Sequence, residues 1–244
     1  MILNFEERPS GSPYVEAIWR NRSESGGPFI SMAVGHWVMV ITRLNGKTSL
    51  TVRGPETKAT PAYCPPGAEH IGVHFKLGTF MPYLPAGDLR DGAVTLSEAT
   101  SNSFWLNGSA WQYPDYENLD TFIDRLVRAG LLVREPVVDA VLHGRLKDLS
   151  IRTIQRRFLR ATGLTHGSAS QIDRARRATM LLKQGVSILD TVYEAGYADQ
   201  PHLTRSLKHY IGQTPAQLIP KSEQSEPAQL SFLFKTTPVS RVTI

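Results

Sequence analysis

The side chains with the clearest chemistry sit in two short runs. In 200–211, QPHLTRSLKHYI, a pitch of 100° per residue puts Leu203, Leu207, Tyr210 and Ile211 on one side and Pro201, Arg205 and Lys208 on the other. In 150–160, SIRTIQRRFLR, the same pitch turns Ile151, Ile154 and Phe158 inward and Arg152, Arg156 and Arg160 outward. Both outer faces are cationic. A guanidinium on such a face forks onto the edge of a guanine, and an ammonium meets phosphate, so the chemistry on offer is recognition of a DNA major groove. A basic amphipathic helix standing alone is more often a solvated surface. What precedes the second run changes that weighting.

Ile172, Ala175, Thr179 and Leu182 recur at helical spacing, and Gly185, just past Lys183, supplies a left-handed stop. The next helix starts at Ser187, whose hydroxyl is placed to accept the N–H of Asp190 while that carboxylate reaches back. This is a Ser-x-x-Asp capping box ahead of Leu189 and Val192. The helix stops at Gly196. Only Tyr197, Ala198 and Asp199 then separate Gly196 from Gln200, which leaves room for nothing but a tight bend between crossed helices. Asp199 caps the second helix, and Pro201 in its first turn loses no N–H that the helix needs. Gly212 ends it, and Thr214-Pro215 open a last short helix. The pattern is a helix-turn-helix. Upstream, Val137, Val138, Val141 and Leu142 form an apolar helix stopped at Gly144, and Ser150 caps the run that carries Arg152.

The run RARRATMLL…G-SILDTVYEAGYADQPHLTRSLKHYIGQTPAQL resembles the C-terminal signature of the AraC/XylS family of bacterial transcription regulators, and LSIRTIQRRFLRATGLT resembles that family's first recognition helix. The resemblance covers about the last hundred residues before the tail. It implies two helix-turn-helix units spaced by the Ile172–Leu182 helix, with both second helices touching bases. The DNA-binding residues expected are Arg152, Thr153, Gln155 and Arg156 in the first unit, and Gln200, Pro201, His202, Thr204, Arg205 and Lys208 in the second. The family's base-contacting positions in the first unit fall on Arg152, Gln155 and Arg156. The helical wheel puts Gln155 at the margin of the exposed face, so its role rests on the resemblance. Two features depart from the family pattern. The turn RLKDL between Gly144 and Ser150 is longer than the usual bend, and Val192 stands where Ala is usual. The longer turn points to phosphate contacts more than base reading by the first unit.

Charge supports the division of labour. The chain of 244 residues carries a net +5, and this is unevenly spread: −2 over 1–135, +7 over 136–221 and 0 over 222–244. A length of 244 with 41% hydrophobic residues supports two domains with sizeable cores. No run of about 18 apolar residues is present, and MILNFEERPS lacks the layout of a secretory signal, so a cytoplasmic protein without membrane contact is expected. One cysteine, Cys64, rules out an internal disulfide and reads as a packed small hydrophobe.

Residues 1 to about 30 read as loops around one packed piece near Tyr14–Trp19. From Phe29 the texture is β: FISMAV, HWVMVITRL, then Asn45-Gly46 as a hairpin turn, KTSLTVRG, and HIGVHFKLG. This pattern is similar to the cupin-like effector domains found ahead of AraC-type modules. His36, His70 and His74, with Glu69, are the one metal-like set. In a strand, however, residues 70 and 74 lie roughly 13 Å apart, and the cupin His-x-His pair is missing. Packed or surface histidines are expected, with no metal and no cofactor. Trp105 and Trp111 are expected to pack a domain junction. Asn118 is expected to cap a helix with Leu119, Phe122, Ile123, Leu126 and Val127 on one stripe, which either pairs subunits or packs on the chain's own β domain.

The reading is an α+β chain. An antiparallel β barrel or sandwich over 1–112 is an effector or dimerisation domain, and 113–135 is a linker helix. Residues 136–220 are an all-α DNA-binding domain with two helix-turn-helix units, and 221–244 a mobile tail. The expected partner is double-stranded operator DNA. A small-molecule effector, a second copy of the chain and, for an activator, RNA polymerase are the further partners under this reading. The alternative, from a different class, is a cupin-type metal-binding protein or enzyme with an appended helical targeting module.

Overall fold

The computed structural model describes residues 3–84, 86–145 and 149–220. The tail from 221 and most of the RLKDL turn lie outside them. The first half holds β1 (Leu3–Arg8), β2 (Val15–Ser23), β3 (Gly27–Ser31), β4 (Val38–Leu44), β5 (Lys47–Arg53), β6 (Thr60–Cys64), β7 (Glu69–Phe75), β8 (Thr79–Phe80), β9 (Ala93–Thr95), β10 (Glu98–Thr100), β11 (Ser103–Leu106) and β12 (Ser109–Gln112). The second half holds α1 (Leu119–Arg128), β13 (Val133–Arg134), α2 (Pro136–Leu142), α3 (Ile151–Thr162), α4 (His166–Lys183), α5 (Ile188–Ala195), α6 (Gln200–Tyr210) and α7 (Pro215–Leu218).

Six strands form one sheet in the order β1-β2-β7-β4-β5-β9, antiparallel at every pairing. Its edges, β1 and β9, are not joined, so the sheet is open. The β3–β6 pair and the β10–β12 meander form separate small sheets. The β4–β5 hairpin turns at Asn45-Gly46, with φ of +51° and +75°, as the dipeptide requires. At Gly72 the β7 backbone runs directly under Trp19 of β2, and a Cβ there would stand 2.1 Å from the indole.

The N-terminal expectation needs correction, because residues 1–30 are mostly strand. β1 lies along β2 from Leu3↔Ser23 to Arg8↔Ile18, and the cross-strand partners Glu6 and Arg20 are ion-paired at 2.6 Å. An edge strand with one wet face carries too many charges to show in its own sequence, and only the partner strand makes its alternation intelligible.

The stripe on α1 is taken up by the chain itself. Leu119, Phe122, Ile123 and Leu126 are buried in the same core as Ile18, Ile41 and Phe104, which leaves that stripe no free face for a subunit contact. Trp111 packs edge-on against Phe122 with their centroids 6.0 Å apart, and Arg125 lies over its ring. Trp105, by contrast, is half exposed and is not junction packing. Asn118 precedes α1 but does not cap it. Its Oδ1 accepts instead from the backbone N–H of Asp115.

That core does not stop at the β region. It runs on through Val137, Val138 and Val141 of α2 and Ile154 and Phe158 of α3 to Ala169 and Ile172 of α4. A second, smaller core joins the later part of α4 to α5, α6 and α7, with Met32 entering from the loop before β4. The β region and the first helical unit therefore share one interior.

Candidate nucleic-acid interface

Each half of the candidate interface is a helix pair braced by its own cap. In the first, the Ser150 hydroxyl accepts the N–H of Thr153 at 3.2 Å to start α3, and Ile154, Phe158 and Ala161 are buried. Glu135 caps α2 by accepting the N–H of Val137 at 3.1 Å, and its carboxylate also accepts from the Arg157 guanidinium at 2.6 Å. That bond ties α2 to α3. Arg152, Gln155 and Arg156 are exposed, so Gln155 is not marginal on the real helix. Thr153 is half-buried, with its hydroxyl 3.0 Å from that of Ser150.

In the second unit, the Ser187 hydroxyl accepts the N–H of Asp190 at 3.1 Å and donates to that carboxylate at 2.6 Å. The Asp190 side chain thus returns to the hydroxyl and not to the backbone N–H. The inward face of α5 also differs from expectation. Thr191 and Ala195 are buried, Val192 is half-buried, and Leu189 is 72% exposed beside Tyr193 at 87%. Eight residues are too few for periodicity to fix the phase of a helix against its neighbours.

Gly196 is left-handed at φ +71° and ends α5, and Asp199 Oδ1 accepts the N–H of His202 at 2.6 Å to start α6. Leu203, Leu207 and Ile211 are fully buried, whereas Gln200, Pro201, Arg205 and Lys208 are exposed. His202 and Thr204 are half-buried, and the His202 ring stands edge-on to Tyr197 at 5.1 Å. Tyr197 meets Ser206 at 2.9 Å, and the Tyr210 hydroxyl donates to Gln171 of α4 at 2.7 Å, so α6 is braced on both its flanks. Among the described residues Arg152, Arg156, Arg205 and Lys208 have no ion-pair partner.

Residues 147–220 match the family model of a helix-turn-helix domain. They form a helix-turn-helix domain. A comparison with curated proteins finds no match. Among solved structures the chain is similar to ToxT from Vibrio cholerae at 10% identity, covering 87% of this chain and 97% of that one with a TM-score of 0.37.

The β region also holds the end of α6. The backbone N–H of Ala33 donates to the carbonyl of Tyr210, and that of Ala59 to the carbonyl of His209, each at 2.8 Å. The last carbonyls of a helix have no partner inside it, and here two of them are satisfied from the other half of the chain. The first unit is gripped as closely. A Cβ at Gly163, which ends α3, would stand 2.6 Å from the carbonyl oxygen of Ala86.

Sequence reasoning missed the Glu135–Arg157 bond and the buried histidine pair. His36 Nε2 and His74 Nδ1 are 2.9 Å apart, and both rings are buried. His70 turns elsewhere, to Thr42 at 3.1 Å and the Cys64 thiol at 3.5 Å. The three imidazoles therefore do not converge on one point. No helix among the described residues is long and apolar enough to cross a membrane.

Proposed function

We propose that this chain is a DNA-binding transcription regulator of the AraC/XylS kind, as its sequence resemblance suggests and the helix-turn-helix match supports, and that it reads its operator with α6 and grips it with α3. The observation that carries the reading is the division of α6, with Leu203, Leu207 and Ile211 sunk in the core and Gln200, Pro201, Arg205 and Lys208 facing out, the two cations without an ion pair among the described residues. In this reading Arg205 forks onto a guanine and Lys208 meets phosphate, with Thr204 and His202 at the margin of the contact. Arg152, Gln155 and Arg156 of α3, with Thr153 beside them, supply the second contact. The two helices occupy successive major-groove segments about 34 Å apart on one face of the duplex, α4 acting as the strut. A small molecule bound by the β region controls the grip, because that region shares its interior with α3 and bonds directly to α6. RNA polymerase is the partner if binding activates, and a second copy of the chain, if one binds, attaches elsewhere than the α1 stripe.

Selection of bound sites from random duplex tests this. Two blocks of fixed bases one helical turn apart are expected. A single block would restrict base reading to one unit, and no enrichment would remove the reading.

A further inference from the structure

The loop that joins β5 to β6, residues 54–59, touches the ends of both α3 and α6. A Cβ on Gly163, which ends α3, would stand 3.3 Å from Cγ of Pro55. Further along the loop, the backbone N–H of Ala59 donates at 2.8 Å to the carbonyl of His209 in the last turn of α6. Four residues of chain span at most about 14 Å, so this short loop reaches directly from one helix end to the other.

The loop is held from several sides. Glu56 exchanges both backbone bonds with Val34, and its carboxylate accepts from Ser31 at 2.7 Å and from Arg53 at 2.6 Å. The N–H and hydroxyl of Thr57 donate to the Asp91 carboxylate at 2.6 and 2.7 Å, and the Asp91 N–H returns to the carbonyl of Pro55 at 2.9 Å. Glu56 is thus spent on Arg53 and Ser31, and Asp91 on Thr57. Lys58 stands between these tied residues and Ala59, yet it is exposed, and no ion pair to it occurs among the described residues. Asp88 and Arg90 of the neighbouring loop are both exposed and add one charge of each sign. The backbone under Lys58 is fixed while its ammonium is left without an acid. It lies one residue from the bond to His209, in the turn of α6 that also exposes Lys208.

The end of a recognition helix is where protein meets the sugar-phosphate backbone at the edge of the groove. A lysine stem of about 6 Å carries a point charge suited to phosphate, and such a contact sets register without reading sequence. We propose that Lys58 is a DNA contact supplied by the β region, its ammonium on a backbone phosphate flanking the segment that α6 reads. The inference rests on the operator reading above and extends the interface beyond the helical domain. Because the same loop braces the ends of α3 and α6, this contact fixes the place of the β region on the duplex.

The test uses the full chain, the duplex recovered by site selection and a random duplex. Titrations at several salt concentrations give the slope of log affinity against log salt. Lys58→Ala keeps the Ala59 N–H, is checked as folded by circular dichroism, and is expected to flatten that slope by about one on both duplexes. Lys58→Arg is expected to restore it. Lys47→Ala removes the same charge at the far end of β5, about 20 Å of strand from the loop, and is expected to leave the slope unchanged. Duplexes carrying one neutral methylphosphonate at a time locate the contact. The wild type is expected to lose affinity at a phosphate flanking the α6 block, and Lys58→Ala to lose nothing further there. A wild-type slope in Lys58→Ala, an equal flattening by Lys47→Ala, or methylphosphonate losses that all persist in Lys58→Ala would each overturn the proposal and leave the operator reading standing. Failure of the wild type to select any duplex would overturn both.

Discussion

Acidification tests the buried histidine pair directly. In the unfolded chain an imidazole takes up a proton near 6.5, whereas burial, with Arg176 beside it, pushes His74 down to about 3. Between those values the unfolded state binds a proton that the folded state refuses. Stability is therefore full above about 6.5 and is lost as pH falls toward 3. From pH 7 to pH 5 the change is nearly one and a half pH units of linkage, or about 2 kcal/mol from His74 alone. His36 is lowered well below its ordinary value, chiefly by burial and then by His74 and Arg176, and adds to the loss in the same direction. For a chain of this size 2 kcal/mol corresponds to about 4–8 °C in Tm. Thermal melts at pH 7 and pH 5 measure the total, and the His36→Gln/His74→Gln double variant isolates the pair. The double variant is expected to keep less than half of the wild-type pH dependence. An NMR titration placing His74 near 6.5 in the folded protein, or an unchanged pH dependence in the variant, would refute the reasoning.

Other perturbations act on the helices and the sheet. Arg205→Ala is expected to weaken binding to the selected operator by about 1–3 kcal/mol more than to random duplex, while Lys208→Ala weakens both alike and reduces the salt slope by about one; equal losses on both DNAs, measured by titration at several salt concentrations, would deny Arg205 a base-reading role. Arg157→Ala leaves the Glu135 carboxylate without its partner at the start of α2, and urea denaturation should show a loss of about 1–2 kcal/mol, the guanidinium being partly exposed. Ser187→Ala removes the α5 cap and should lower stability by about 1 kcal/mol, with α5 amides exchanging faster than those of α4. Gly72→Ala drives a methyl into the Trp19 ring and should destabilise by about 1–3 kcal/mol with a change in tryptophan emission; a neutral effect would mean β2 and β7 separate more readily than their pairing indicates.

What could be read from the sequence was whatever is decided within a few residues. The stops at Gly185, Gly196 and Gly212, the caps at Ser187 and Asp199, and the Asn45-Gly46 hairpin are local bargains between a side chain and nearby backbone. The two faces of α6 follow from helical pitch over eleven residues, and the structure keeps them. The short elements fared otherwise, since α5 gives too few turns to fix its phase, and Leu189 faces out. β1 looked like loop because its alternation exists only against β2. Tertiary structure alone decided that the α1 stripe is consumed by its own core, that Ala33 and Ala59 take the last carbonyls of α6, and that His36, His74 and Arg176 meet. Positions 36, 74 and 176 carry no mutual signal along the chain. Only the packing of a sheet end against a helix brings them together, out of reach of water.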